Sequence, residues 1–179
     1  HLRGLVDGFD VASAGELRTA LDAAMPADRI SFAGPGKRPD ELTQAVAAGA
    51  DEALLLDEEG YVAEGSGENL FFVRDGVIYA LEHSVNLEGI TRDSVIRIAK
   101  DLGYEVQVVR ATRDQLYMAA EVFMTGTAAE VTPVSMIDWR PIGKGTAGPV
   151  ALRLREVYLE AVTGRRPEYE GWLTYVNGQ

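Results

Sequence analysis

Apolar and polar residues follow two different rhythms along this chain, and the change falls near residue 50. Before it, Gly4-Leu5-Val6-Asp7-Gly8-Phe9-Asp10-Val11-Ala12 reads as a glycine-interrupted strand leading into Ser13-Ala14-Gly15-Glu16, whose S-x-x-E spacing is a capping box. Leu17, Ala20, Leu21 and Ala24 recur at helical spacing, which predicts a helix to about Met25, ended by Pro26. Ile30 to Ala33 is a second short strand, Gly34-Pro35-Gly36 a turn, and Pro39 to Ala48 a second helix closed by Gly49. Such strand and helix alternation belongs to a parallel sheet.

The rest of the chain predicts a different arrangement. Ala53 to Leu56 reads as a short apolar strand. Asn69 to Val73 and Val77 to Leu81 flank Arg74-Asp75-Gly76, a strong hairpin signal that predicts an antiparallel sheet. Thr91 suits the N-cap of a helix through Leu102, with Val95, Ile98, Ala99 and Leu102 on one face and Gly103 as its stop. Tyr104 to Arg110 alternates as a strand, and Asp114 to Ala119 forms a short helix. The strands Glu121 to Met124 and Val131 to Ile137 follow, separated by a turn at Gly126, and a last helix runs from about Pro149 to Val162. Arg165-Arg166-Pro167 then opens a polar, aromatic tail. The pattern predicts a mixed α/β (α+β) fold, a domain with antiparallel hairpins preceded by a βαβα segment, divided into residues 1–50 and 51–179. There is no internal repeat and no low-complexity segment.

Length and charge narrow the function classes. At 179 residues the chain has room for one full core, or for two fragments sharing one. Its 28 Asp and Glu against 17 Lys and Arg give a formal charge of -11, which repels phosphate backbones and anionic membranes, so neither nucleic acid nor a membrane is an expected partner. The absence of cysteine removes disulfides and thiolate metal sites, and two histidines, His1 and His83, are too few for a His-based zinc site or a Ser-His-Asp triad. No apolar run approaches the roughly 20 residues of a membrane helix and no signal peptide precedes the first strand, so a cytoplasmic protein is expected. The chain opens on His1 without Met, and the start of the gene product is expected to lie upstream.

Three stretches carry candidate chemistry: Glu64-Gly65-Ser66-Gly67-Glu68-Asn69-Leu70-Phe71, Leu87-Glu88-Gly89-Ile90-Thr91-Arg92, and Thr125-Gly126-Thr127-Ala128-Ala129-Glu130-Val131-Thr132-Pro133. Each alone is an ordinary turn between regular elements. Together they place Gly89 and Ile90 at a helix start whose first amides and Thr91 hydroxyl suit a phosphate, while Thr125-Gly126-Thr127 offers a second set of amides and hydroxyls. Two such sets can grip opposite sides of one anion.

In that order and spacing, the three motifs resemble the large C-terminal domain of the branched-chain amino acid aminotransferases, the class IV pyridoxal-phosphate enzymes. The resemblance runs from about Ala50 to Asn177, and the Glu-Gly-Ser-Gly-Glu-Asn and Gly-Thr-Ala-Ala-Glu forms look like the branched-chain subgroup rather than its serine-rich relatives. It implies pyridoxal 5'-phosphate as cofactor and amino acids and 2-oxo acids as substrates. Glu64 then resembles the carboxylate that pairs with the pyridine nitrogen and keeps the ring protonated. Leu87 resembles the apolar side chain on the cofactor ring, although a core leucine accounts for it equally well. Gly89, Ile90, Thr91, Gly126 and Thr127 look like the phosphate site, with helix capping as the plain alternative for Thr91. The Thr127 and Ala128 amides look like the substrate carboxylate site, where a simple β-turn is the alternative.

The first fifty residues resemble another family. Gly8-Phe9-Asp10-Val11-Ala12-Ser13-Ala14-Gly15-Glu16-Leu17 and Ile30-Ser31-Phe32-Ala33-Gly34-Pro35-Gly36-Lys37 are similar to the pyridoxal-phosphate barrel decarboxylases of the diaminopimelate and ornithine type. The two resemblances meet near Ala47 to Asp51, so the chain looks chimeric. Transamination needs a lysine amine to bond the cofactor and move a proton, and the aminotransferase resemblance places it near Ile30, where this chain has none. Of Lys37, Lys100 and Lys144, Lys37 lies closest to that position and is the candidate, with a surface lysine as its plain reading. The family's small domain has no counterpart here.

Three readings follow. In the first, the chain is a branched-chain aminotransferase-like protein that exchanges the amino group of Leu, Ile or Val with 2-oxoglutarate, impaired by the missing lysine and small domain. In the second it is a non-catalytic scaffold, or a module binding pyridoxal phosphate or phosphate. In the third it is a fragment of a pyridoxal-phosphate decarboxylase. A homo-oligomer is expected, because surface meant for a missing domain would otherwise be exposed.

Overall fold

The computed structural model describes residues 9–11, 30–32, 51–82 and 88–175. The first two pieces are strands β1 (Phe9–Val11) and β2 (Ile30–Phe32), paired in parallel with Phe9 opposite Ile30 and Val11 opposite Phe32. That agrees with the strand and helix alternation of this segment. The helices expected at about 13–25 and 39–48, and the packing of the N-terminal segment on a sheet edge, lie outside the described residues.

The hairpin of β3 (Asn69–Arg74) and β4 (Val77–Leu81) turns on Asp75 and Gly76, both at positive φ (52° and 80°), the backbone that a two-residue hairpin loop needs to match strand twist. Helix α1 (Ile90–Asp101) then carries the chain over one face to β5 (Val106–Val109). Next come α2 (Arg113–Tyr117), β6 (Glu121–Gly126) and β7 (Glu130–Val134). A small ribbon of β8 (Met136–Ile137) and β9 (Arg140–Pro141) leads to α3 (Pro149–Val162) and a 3-10 turn over Pro167–Trp172.

The main sheet has the order β5-β4-β3-β6-β7. It is mixed, not antiparallel as the hairpin signal alone predicts: β4 and β5 run parallel, with Ile78 opposite Val106 and Leu81 opposite Val109. The reason is the α1 crossover, since a strand that returns through a helix comes back in its original direction. The segment at Ala53 to Leu56 is likewise no strand of this sheet. It makes one isolated bridge, Leu56 to Val62, because the carboxylate of Asp57 accepts the Glu59 and Tyr61 amides and folds the chain back on itself. The strand read as Val131 to Ile137 breaks at Ser135 into β7 and β8.

Side-chain alternation divides the core between the two faces of the sheet. Phe71, Val73, Ile78, Ala80 and Phe123 face α1 and α3, meeting Val95, Ile98 and Ala99 of the first helix and Ala151, Leu154, Val157 and Ala161 of the second. Phe71 and Phe123 are register partners with rings stacked at 4.9 Å. On the other face Leu70, Phe72, Leu81, Val122 and Met124 pack with Val62, Leu116, Ile137 and Ile142. The C-terminal tail is more ordered than its composition implies: Tyr169 is buried, stacks near Trp172, and donates its hydroxyl hydrogen to Asp101 at the end of α1 (3.2 Å).

Candidate functional site

Two long helices lie on one face of the sheet. The N-terminus of α3 is occupied: Glu121 of β6 accepts hydrogen bonds from the Val150 amide (3.0 Å) and the Ala151 amide (2.9 Å), and Gly148 leaves room for its carboxylate. Helix α1 begins from Gly89, which has extended backbone and no side chain with which to cap the helix. Thr91 is therefore not the N-cap. It sits at the second helical position, buried, where it faces the sheet one turn before Val95.

The sheet brings the other two motifs to this helix start. Asn69 opens β3 and is the register partner of Thr125 on β6, two pairs beyond the stacked Phe71 and Phe123, so both face α1. Asn69 is buried and presses on Gly89 so closely that a Cβ there would lie 2.1 Å from its Oδ1. Gly126 in turn abuts the 64–68 loop, and a Cβ on it would lie 3.2 Å from the Gly67 carbonyl and 3.3 Å from Glu68 Cγ. Thr127, Ala128 and Ala129 form the hairpin loop between β6 and β7, with Glu130 at φ 54° closing it.

The structure thus gathers Gly89, Ile90, Thr91, Gly126, Thr127 and Ala128 at one end of the helix-bearing face, with Glu64 entering the adjoining loop. Ile90 is 87% exposed and Thr127 and Ala128 are exposed, whereas Glu64 is 4% exposed. Leu87 and Lys37 lie outside the described residues. Of the other lysines, Lys100 is exposed ten residues along α1 from Ile90, a rise of about 15 Å. Lys144 is exposed in the loop after β9. Sequence reasoning offers Thr125 with Gly126 and Thr127 as a set of amides and hydroxyls and includes Asn69 without assigning it a part, since the pairing of the two across β3 and β6 is set by sheet register. The fold adds Arg92, which is 2% exposed and donates to the Leu81 carbonyl (2.9 Å), joining the end of β4 to α1; burial lowers its pKa, opposed by Asp93 and Glu88.

Carboxylates clip the 64–68 loop. Glu52 Oε1 accepts from the Ala53 amide (2.7 Å) and the Ser66 amide (3.3 Å), and Glu68 Oε2 accepts from the Gly67 amide (3.0 Å). Burial pushes the Glu68 carboxyl up from its ordinary 4.5, helped by Glu52 and Glu64 and opposed by the Gly67 amide. A raised carboxyl holds its proton more tightly when folded, so this contribution to stability is complete below the ordinary value and is lost as pH rises through the folded one. Glu68→Gln keeps an acceptor for Gly67 without the charge. Its thermal midpoint, compared with the wild type's at about pH 4 and about pH 7, is expected to gain on the wild type at the higher pH. Parallel pH profiles would show that Glu68 titrates normally.

The chain belongs to the class IV aminotransferases: the family model Amino-transferase class IV matches residues 41–137. A second model, the pyridoxal-binding domain of pyridoxal-dependent decarboxylases, matches residues 2–60, in keeping with the chimeric resemblance. A branched-chain-amino-acid aminotransferase of Pseudomonas aeruginosa is 49% identical over 135 residues, which is 75% of this chain and 44% of the relative. Among solved structures, the T.th. branched-chain amino acid aminotransferase with pyridoxamine 5'-phosphate is 97% identical, with a TM-score of 0.75 over 76% of this chain and 45% of that one. The Escherichia coli enzyme is 44% identical at a TM-score of 0.73, covering 76% of this chain and 46% of that one. The chain spans less than half the length of the curated relatives it matches.

Proposed function

We propose that this chain carries the cofactor-holding part of a branched-chain amino acid aminotransferase, and that it binds pyridoxal 5'-phosphate through a two-sided phosphate grip. The supporting observation is the convergence of Gly89 to Thr91, at a helix start, with the Gly126 to Ala128 turn across the Asn69 and Thr125 pair. Helix-start amides and a hydroxyl-bearing turn are the groups a phosphate needs. The buried Thr125 hydroxyl, which has no hydrogen-bond partner among the described residues, fits the same use. Ile90, Thr91 and Thr127 would hold the phosphate, Glu64 the ring nitrogen, and the Thr127 and Ala128 amides a substrate carboxylate. When bound, the cofactor supplies an electron sink for the pair released at the substrate α-carbon. Glu64 favours the protonated ring, the helix start orients the phosphate end, and the turn positions the acid.

In the whole enzyme that arrangement serves amino-group exchange between Leu, Ile or Val and 2-oxoglutarate, which requires a lysine amine. In this chain Lys100 stands at the far end of α1 and Lys144 is exposed in a loop, leaving Lys37 as the candidate. We place the change between the two family segments near Ala47 to Asp51. The protein is read as a cytoplasmic homo-oligomer acting on small amino and 2-oxo acids, with no role for nucleic acid or membrane. Its charge of -11 supports this, and no described helix is long and apolar enough to cross a membrane.

The second reading, a cofactor-binding scaffold without turnover, is favoured by the positions of Lys100 and Lys144. Incubation with pyridoxal 5'-phosphate, borohydride reduction and peptide mapping separate the two. One stoichiometric adduct on Lys37 would establish a replacement lysine and justify transamination assays. Absent or scattered labelling, with cofactor binding retained, would establish the scaffold.

A further inference from the structure

The hydroxyl of Thr125 is an unused donor in a place where unused donors are costly. Thr125 is fully buried, and its Oγ1 has no hydrogen-bond partner among the described residues. Leaving a buried hydroxyl unsatisfied is destabilising, and valine has the same shape without that penalty. Threonine at this point of β6 therefore works against folding.

Its location shows what that cost accompanies. Thr125 shares the helix-facing side of the sheet with Asn69, its register partner, and Asn69 presses on Gly89 at the start of α1. Along its own strand, Thr125 immediately precedes the Gly126 and Thr127 turn. It is the residue that touches both halves of the proposed grip through covalent or register neighbours, and its exposure is too low for it to be a surface ligand.

We infer that Thr125 is a positioning residue for the anion site: its hydroxyl remains unsatisfied until a phosphate draws the helix start and the turn together, and then bonds across the Asn69 and Thr125 pair. Ligand binding thereby gains a hydrogen bond that folding forgoes. The inference rests on the phosphate-grip reading of the same site. It predicts effects of opposite sign on stability and binding, whereas a packing role alone moves stability only.

The test uses the full chain and its Thr125→Val and Thr125→Ser variants. For each, the thermal midpoint without ligand is measured, together with the dissociation constants for pyridoxal 5'-phosphate and for pyridoxal. Thr125→Val is expected to melt higher than the wild type yet bind the phosphate ester about tenfold more weakly, the loss of one hydrogen bond, with pyridoxal binding unchanged. Thr125→Ser is expected to bind within about twofold of the wild type. If the wild type prefers the phosphate ester and Thr125→Val keeps that preference, the positioning role is overturned and the grip stands. If the wild type shows no preference, the grip itself fails and the inference with it. A Thr125→Val chain that melts lower would show that the hydroxyl is already satisfied, and would also overturn the inference.

Discussion

Replacing Glu121 by Ala is expected to destabilise the protein by about 3 kcal/mol, read as the midpoint shift in denaturant unfolding at constant slope. Glu121 is buried on β6 and accepts two amides at the start of α3, at 3.0 and 2.9 Å. An N-cap is worth about 0.5–2 kcal/mol, and a negative charge at a helix start adds about 0.3–1 kcal/mol. Removing the side chain also opens space beside Gly148, whose backbone lies against the carboxylate. Glu121→Gln keeps an acceptor of the same length and is expected to lose about 1 kcal/mol, the charge-dependent share. Equal losses for Ala and Gln would show that the charge alone, and neither packing nor a neutral acceptor, fixes α3.

The second large effect is at Gly89. Alanine there places a methyl 2.1 Å from Asn69 Oδ1, far inside contact distance, and Asn69 is buried and paired with Thr125, so either the Asn69 side chain or the start of α1 must shift and the contact between them is lost. Losing a hydrogen bond to a charged phosphate costs about 1.5–3 kcal/mol, on the order of a hundredfold at the upper end. Gly89→Ala is expected to lose about that factor in affinity for pyridoxal 5'-phosphate by titration, while the core of Phe71, Phe123, Val95 and Ile98 stays intact. Unchanged affinity would mean that the helix start takes no part in binding.

Much of the fold is legible because its signals are local. Asp75-Gly76 announces the hairpin, Val95, Ile98 and Ala99 mark the buried face of α1, and Gly103 and Gly164 mark helix ends. What the sequence hides depends on residues distant along the chain. The capping partner of α3 is Glu121, 29 and 30 residues before the amides it accepts. The parallel pairing of β4 and β5 is available in principle, since a strand, a helix and a strand in succession imply a crossover, but the hairpin signal beside it points to an antiparallel sheet throughout. Residue type marks Thr91 as a cap, whereas extended backbone at Gly89 and the close approach of Asn69 start the helix two residues earlier. At the site, motif order brings the right stretches into view, and register explains why they meet. The unsatisfied Thr125 hydroxyl is not readable, because an alternating β6 pattern treats threonine and valine alike.

The grip on a phosphate is tested most directly by titrating the 179-residue chain with pyridoxal 5'-phosphate and with pyridoxal, each with and without excess inorganic phosphate. Saturable binding of the phosphate ester, at least about tenfold tighter than pyridoxal and weakened by inorganic phosphate, is the predicted result. Equal affinities for the two compounds, indifferent to inorganic phosphate, would contradict a phosphate site at the start of α1.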